Sequence, residues 1–172
     1  MSHRRTLVLA PAVAVALAAA APATAQTPGL IPTVSKLRTN GIGKVKVGMT
    51  VKQARDAAGV YMVKSKVGDC TYLDAGKPGT PQGPFLRFHN GKLRYIGVGR
   101  KGFETKRGID IGDKAREVRR KYNGLHSRPD LGGGRELVWK AKRGRLIFTI
   151  VGGKVTHMAG GRAPWVLLQE CV

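Results

Sequence analysis

Acidic residues are scarce in this chain: ten Asp and Glu stand against 31 Lys and Arg, a formal net charge of +21. The shortage leaves little material for paired-carboxylate chemistry. Asp110 and Asp113 flank Gly112, and Asp113 is read more economically as a helix N-cap. Cysteine is nearly absent, with Cys70 and Cys171 alone and no Cys-x-x-Cys, which excludes a zinc site built on thiolate pairs. His89, His126 and His157 have no second His or Cys at helical spacing. No serine stands in a Gly-x-Ser-x-Gly elbow, and Gly132-Gly133-Gly134-Arg135 lacks the Gly-Lys-Ser/Thr ending of a phosphate loop. Nothing meets the geometric roles of an active site, so a non-enzymatic protein without metal or cofactor is expected. Long apolar runs are missing too. Leu7–Ala21 is 15 residues without a charge, short of the roughly 20 needed to cross a bilayer, and no transmembrane segment is expected in the mature chain.

What the N-terminus does hold is the layout of a signal peptide. His3, Arg4 and Arg5 give a basic n-region, Leu7–Ala21 an apolar stretch, and Ala23-Thr24-Ala25 a small-x-small cleavage pattern. Residues 1–25 are therefore read as a signal cut after Ala25, with export to the cell envelope or beyond. Arg4-Arg5 fits a general secretory n-region, the preferred reading, or a twin-arginine signal. In that compartment two cysteines imply one disulfide, Cys70–Cys171. Closing a loop of about a hundred residues stabilises by roughly 4–5 kcal/mol in the chain-entropy model.

The charge selects partners rather than a fold. Outside the cytoplasm, polyanions are teichoic acids, lipopolysaccharide, anionic phospholipids and extracellular nucleic acid. The densest basic run, Lys114, Arg116, Arg119, Arg120 and Lys121, is the candidate anion patch, its bland alternative being a solvated helix face. Arg135 is a weaker candidate. Trp139, Trp165 and Tyr95 are read as core residues before interface anchors.

Two stretches 64 residues apart share a pattern: Val45–Ala58 and Ile109–Tyr122 both run apolar, polar, apolar, Gly and then turn helical. Val51, Ala54 and Ala58 fall on one helical stripe, as do Ala115, Val118 and Tyr122. Thr50 with Gln53 fits a capping box, and Gly59 and Gly124 are candidate helix stops. Further on, Phe85–His89 and Lys92–Ile96 flank Asn90-Gly91, a hairpin signal. Arg145–Val151 and Lys154–Met158 flank Gly152-Gly153 in the same way. Asp69–Asp74 and Glu136–Ala141 read as a further strand in each copy, and Trp165–Val172 as a last strand.

The expected fold class is α+β: two tandem units, each a helix plus a three-stranded antiparallel meander, helices packed on the sheet. The divisions are a loose N-terminal arm (26–42), a first unit (43–99), an exposed charged connector (100–108) and a second unit with the C-terminal strand (109–172). Gly76–Pro84 and Asn123–Arg135 read as loops.

Val47-Gly48-Met49-Thr50, the short helix, the cysteine-bearing strand and the Asn90-Gly91-Lys92 hairpin resemble small envelope lipoproteins of the SmpA/OmlA type, which assist outer-membrane protein assembly. The tandem layout is similar to that of secreted β-lactamase inhibitory proteins, and Glu170-Cys171 resembles the ending of uncharacterised secreted actinobacterial proteins. The resemblance spans residues 43–172. It implies a secreted scaffold that binds an extracellular or envelope protein in the manner of an inhibitor. Polyanion binding through the basic helix is the alternative.

Overall fold

The computed structural model describes residues 35–77, 80–130 and 132–162. Its elements are, in order, β1 (Leu37–Arg38), β2 (Gly41–Ile42), β3 (Val45–Lys46), α1 (Val51–Ala58), β4 (Met62–Val67), β5 (Cys70–Lys77), β6 (Thr80–His89), β7 (Lys92–Val98), α2 (Ala115–Lys121), β8 (His126–Pro129), β9 (Arg135–Ala141), β10 (Gly144–Val151) and β11 (Lys154–Gly161). Strands β1–β3 form a small sheet. The other eight form one antiparallel sheet in the order β4-β5-β6-β7-β11-β10-β9-β8.

This corrects the expected fold class. The protein is mainly β, with two short helices against one continuous sheet, and not two helix-plus-three-stranded units. The two runs merge because β7 and β11 pair antiparallel, Val98 opposite Met158 and Tyr95 opposite Gly161. Each would otherwise present a row of unpaired backbone groups, which sheets rarely leave uncovered. Each helix is followed by four strands. The strands not anticipated, β4 and β8, are the two outer edges of the sheet.

The helix-forming stretches do dock alike. Gly48 N–H donates to Leu93 O (2.8 Å) and Leu93 N–H to Met49 O (2.8 Å); Gly112 N–H donates to Val155 O (2.7 Å) and Val155 N–H to Asp113 O (2.8 Å). Gly48 and Gly112 both hold φ of 95°, a conformation that costs side-chain-bearing residues steric strain. The N-termini of the two helices differ. Thr50 and Gln53 form the reciprocal capping box on α1, which Gly59 ends in the left-handed region. On α2 the N-cap is Lys114 without a side-chain cap, and the C-cap is Tyr122. Asp113 instead accepts from the Asp110 backbone N–H, so its expected capping role is corrected, as is that of Gly124 as the stop.

Ala54 and Ala58 of α1 and Val118 of α2, with Tyr122 beside it, pack onto Leu73, Leu86, Phe88, Leu93, Leu137 and Phe148 from one sheet face. Two segments expected outside the core belong to it. Leu37 and Ile42, in the presumed loose arm, are fully buried, as are Phe103 and Thr105 in the presumed exposed connector. They join directly: Leu37 N–H donates to Glu104 O (2.7 Å), and Lys36 pairs with the Glu104 carboxylate at 2.5 Å. The expected loops at 76–84 and 123–135 contain strand: β5 runs to Lys77, β6 starts at Thr80, and β8 fills His126–Pro129. The signal segment, Trp165, the Trp165–Val172 strand and Cys171 lie outside the described residues.

Candidate functional site: a cationic groove around the β9–β10 hairpin

Strands β9 and β10 are joined by Lys142-Arg143, and this end of the hairpin is basic on all sides. Alternation along the strands sends Trp139 and Leu146 to the core face and Lys140 and Arg145, a cross-strand pair, to the other. The turn between β1 and β2 packs against the same end. Two glycines permit that approach: a Cβ at Gly160 would collide with the Arg38 carbonyl, and one at Gly144 would lie 2.8 Å from Thr39 O. The turn therefore becomes one wall of a groove and the hairpin the other.

The groove has two neighbouring parts that share Thr39, Asn40, Ala141 and Arg143. The outer cleft, about 690 Å³, is lined by Lys140, Lys142, Arg143, Arg145 and Arg162, with Val47. The second part, a chamber of about 510 Å³, is lined by Leu37, Leu146, Tyr122 and Trp139 together with Arg38, Lys106, Arg107 and Arg143. Tyr122 meets Trp139 edge-on at 5.2 Å between centroids and Phe148 at 5.1 Å. The Arg107 guanidinium lies 4.7 Å from the Tyr122 ring centre and 5.0 Å from that of Trp139, a cation–π arrangement. Arg107 Nη1 also donates to Lys121 O. Its charge is thus held against the aromatic side chains of the chamber. Burial pushes the Tyr122 phenol up, opposed by the Thr105 hydroxyl and Arg107.

Among the described residues no carboxylate lines either part. The acids are engaged elsewhere: Asp56 with Lys52, Glu104 with Lys36, Glu136 with Arg128. Asp110 accepts from the backbone of Gly102 (2.8 Å) and Ile111 (2.7 Å), and Asp130 from Gly132. The groove is a concave surface of one charge sign.

The basic residues singled out from the sequence lie apart from it. Lys114, Arg116, Arg119 and Arg120 are exposed on α2, and Lys121 turns its ammonium onto Gly108 O at 2.5 Å. None of the five lines the groove. Arg135 donates to the Ser127 hydroxyl. The sequence does not single out the groove because its cations are spread over four segments, Arg38, Lys106–Arg107, Lys140–Arg145 and Arg162; Lys140-Ala141-Lys142-Arg143 is the available signal. Among the described residues no group of three or more His, Cys, Asp or Glu is placed to hold a metal, and no helix is long and apolar enough to cross a membrane. Cys70 is fully buried at the start of β5 and is not a free thiol.

The sheet face away from the helices carries a second feature. Tyr72, Arg87 and Tyr95 are cross-strand neighbours on β5, β6 and β7, with the guanidinium 5.3 Å and 5.1 Å from the two ring centres. Phe85 lies on Gly97 and 5.5 Å from Tyr95. Burial pushes the Tyr95 phenol up to about 12, with the Arg87 charge working against it. Tyr95 packs against Val138, Ile147 and Ala159 in a small apolar cluster.

The architecture places the chain among proteins built on one large, twisted antiparallel sheet with helices on one face. Among solved structures it is similar in fold to the uncharacterized protein yfeY from Escherichia coli, with a TM-score of 0.57 and 14% identity over 74% of this chain and 99% of that one. No protein-family profile matches the chain, and no curated protein does. The mostly β match overturns the expected resemblance to SmpA/OmlA-type lipoproteins, β-lactamase inhibitory proteins and secreted actinobacterial proteins, since no pair of tandem helix-plus-meander units is present.

Proposed function

We propose that the mature protein is an exported, non-enzymatic binding domain for anionic ligands of the cell envelope, and that it binds them in the groove around the β9–β10 hairpin. The observation that carries this reading is the groove's composition: Lys and Arg side chains in both parts, with no carboxylate of the described residues among the lining. A cleft of one sign in low-dielectric walls concentrates counter-charged ligands far better than the same charges spread over a convex helix. Arginine, abundant here, also presents a planar fork that matches phosphate and carboxylate oxygens. Binding of this kind should weaken steeply with salt.

The test is retention on immobilised heparin across a salt gradient. Arg143→Ala with Arg145→Ala should elute at clearly lower salt than the wild type, whereas Arg116→Ala with Arg119→Ala and Arg120→Ala should shift elution only by its share of the net charge. Equal shifts for the two variants would contradict the groove reading.

A second reading, binding of an envelope protein on the open sheet face, is favoured by the half-buried Tyr72, Phe85 and Tyr95 around Arg87. Tyrosine and arginine are enriched at protein interfaces and among their energetic centres. Alanine at Tyr72 would then abolish stoichiometric capture that survives high salt.

A further inference from the structure

A polyanion needs only surface charge, yet beside the cationic cleft, sharing Thr39, Asn40, Ala141 and Arg143 with it, lies a chamber lined by apolar and aromatic side chains. Leu37, Leu146 and Tyr122 form buried parts of those walls, and Trp139 is half-buried there. Both volumes, about 690 and 510 Å³, fall within the roughly 300–1,000 Å³ of small-molecule sites. Such sites combine apolar walls with a few placed polar groups. The cleft and the chamber meet at the shared Arg143, and Arg107 stacks on the two aromatic rings of the chamber.

Resting on the anion-binding reading above, we propose that the two parts are one site for an anionic amphiphile: a single-chain phospholipid whose phosphate lies in the cleft and whose acyl chain enters the chamber. Each half answers a separate energetic need. The phosphate exchanges its hydration for charge-assisted hydrogen bonds from guanidinium groups. The chain gains about 25 cal/mol for each Å² of apolar surface withdrawn from water, which a purely ionic groove could not supply. A zwitterionic headgroup with the same chain would bring its cation against Arg143 and Arg145, so the site should reject it.

Tryptophan fluorescence reports this directly. With Trp165→Phe as background, Trp139 is the remaining tryptophan, and oleoyl lysophosphatidate is titrated below its micelle concentration. The expected result is a saturable one-to-one change in Trp139 emission, at least tenfold weaker with oleoyl lysophosphatidylcholine and absent with glycerol 3-phosphate. Ala141→Phe, whose ring would occupy the chamber, should abolish the lipid response, with circular dichroism verifying the fold. Equal responses to the two lipids, or an undiminished response in Ala141→Phe, would overturn the amphiphile proposal. Groove-dependent heparin retention without any lipid response would overturn it while leaving the anion-binding reading intact. Loss of groove dependence on heparin as well would overturn both.

Discussion

Gly160 lies where the backbone at Arg38 crosses β11, and its missing side chain is what lets the β1–β2 turn sit on the sheet. Ala at this position would place a Cβ against the Arg38 carbonyl, 3.2 Å from its carbon and 3.4 Å from a Leu146 methyl. Backbone is the obstacle, so a rotamer change cannot relieve it. Overpacking of this kind costs about 1–3 kcal/mol. Gly160→Ala should therefore lower the unfolding free energy by that amount in urea titrations and weaken anion binding, because one groove wall is displaced. Gly91→Ala, with open space around it, would test only turn strain and should leave binding unchanged. Tyr95 gives a second residue-scale prediction. Its phenol is pushed up to about 12, chiefly by burial, so the folded state favours the protonated form relative to an unfolded value of about 10. That contribution to stability is complete below about pH 10 and is lost as pH rises toward 12. Spectrophotometric titration near 295 nm should show a late tyrosine step near pH 12, and Tyr95→Phe should diminish it, leaving what Tyr122, also raised by burial, contributes.

At the scale of elements, what could be read from the sequence depended on how strongly burial patterns each segment. The capping box of α1, the Asn90-Gly91 turn with φ of 48° and 70°, and the Gly152-Gly153 turn at 57° and 74° are local chemistry, and they stand where the sequence places them. Strands β4 and β8 were not legible. As sheet edges they bury Met62 alone between them, so they carry no alternation, and their Lys64, Lys66, Arg128 and Pro129 are the residues that protect an edge. The pairing of β7 with β11 was equally hidden, because register between distant strands leaves no local signature. Residues 100–108 looked exposed through their charges, while Phe103 and Thr105 between those charges are buried. The groove is hidden for a related reason: its cations come from four segments, whereas α2 concentrates its cations in one run. A convex run of lysines and arginines is usually a solvated face. Its triple alanine variant should accordingly leave ligand affinity within the shift expected from net charge alone.

For the molecule as a whole, the excess of 21 positive charges opposes compaction, and one continuous sheet with helices on a single face must hold against that repulsion. The buried Cys70, not a free thiol, is consistent with a cross-link to Cys171, which lies outside the described residues. Such a link would contribute up to roughly 4–5 kcal/mol by restricting the unfolded chain. Intact-mass analysis of the exported protein should show the two hydrogens gained on reduction, and Cys171→Ser should lower the denaturant midpoint; two free thiols in native material would contradict the pairing. The central claim concerns where an anion binds. An amide and indole NMR titration with a short heparin oligosaccharide addresses it most directly. Saturable shifts confined to Thr39–Asn40, the Trp139 indole and Lys140–Arg145 are the predicted result. Shifts centred on Arg116–Lys121, or spread evenly over the basic surface, would contradict it.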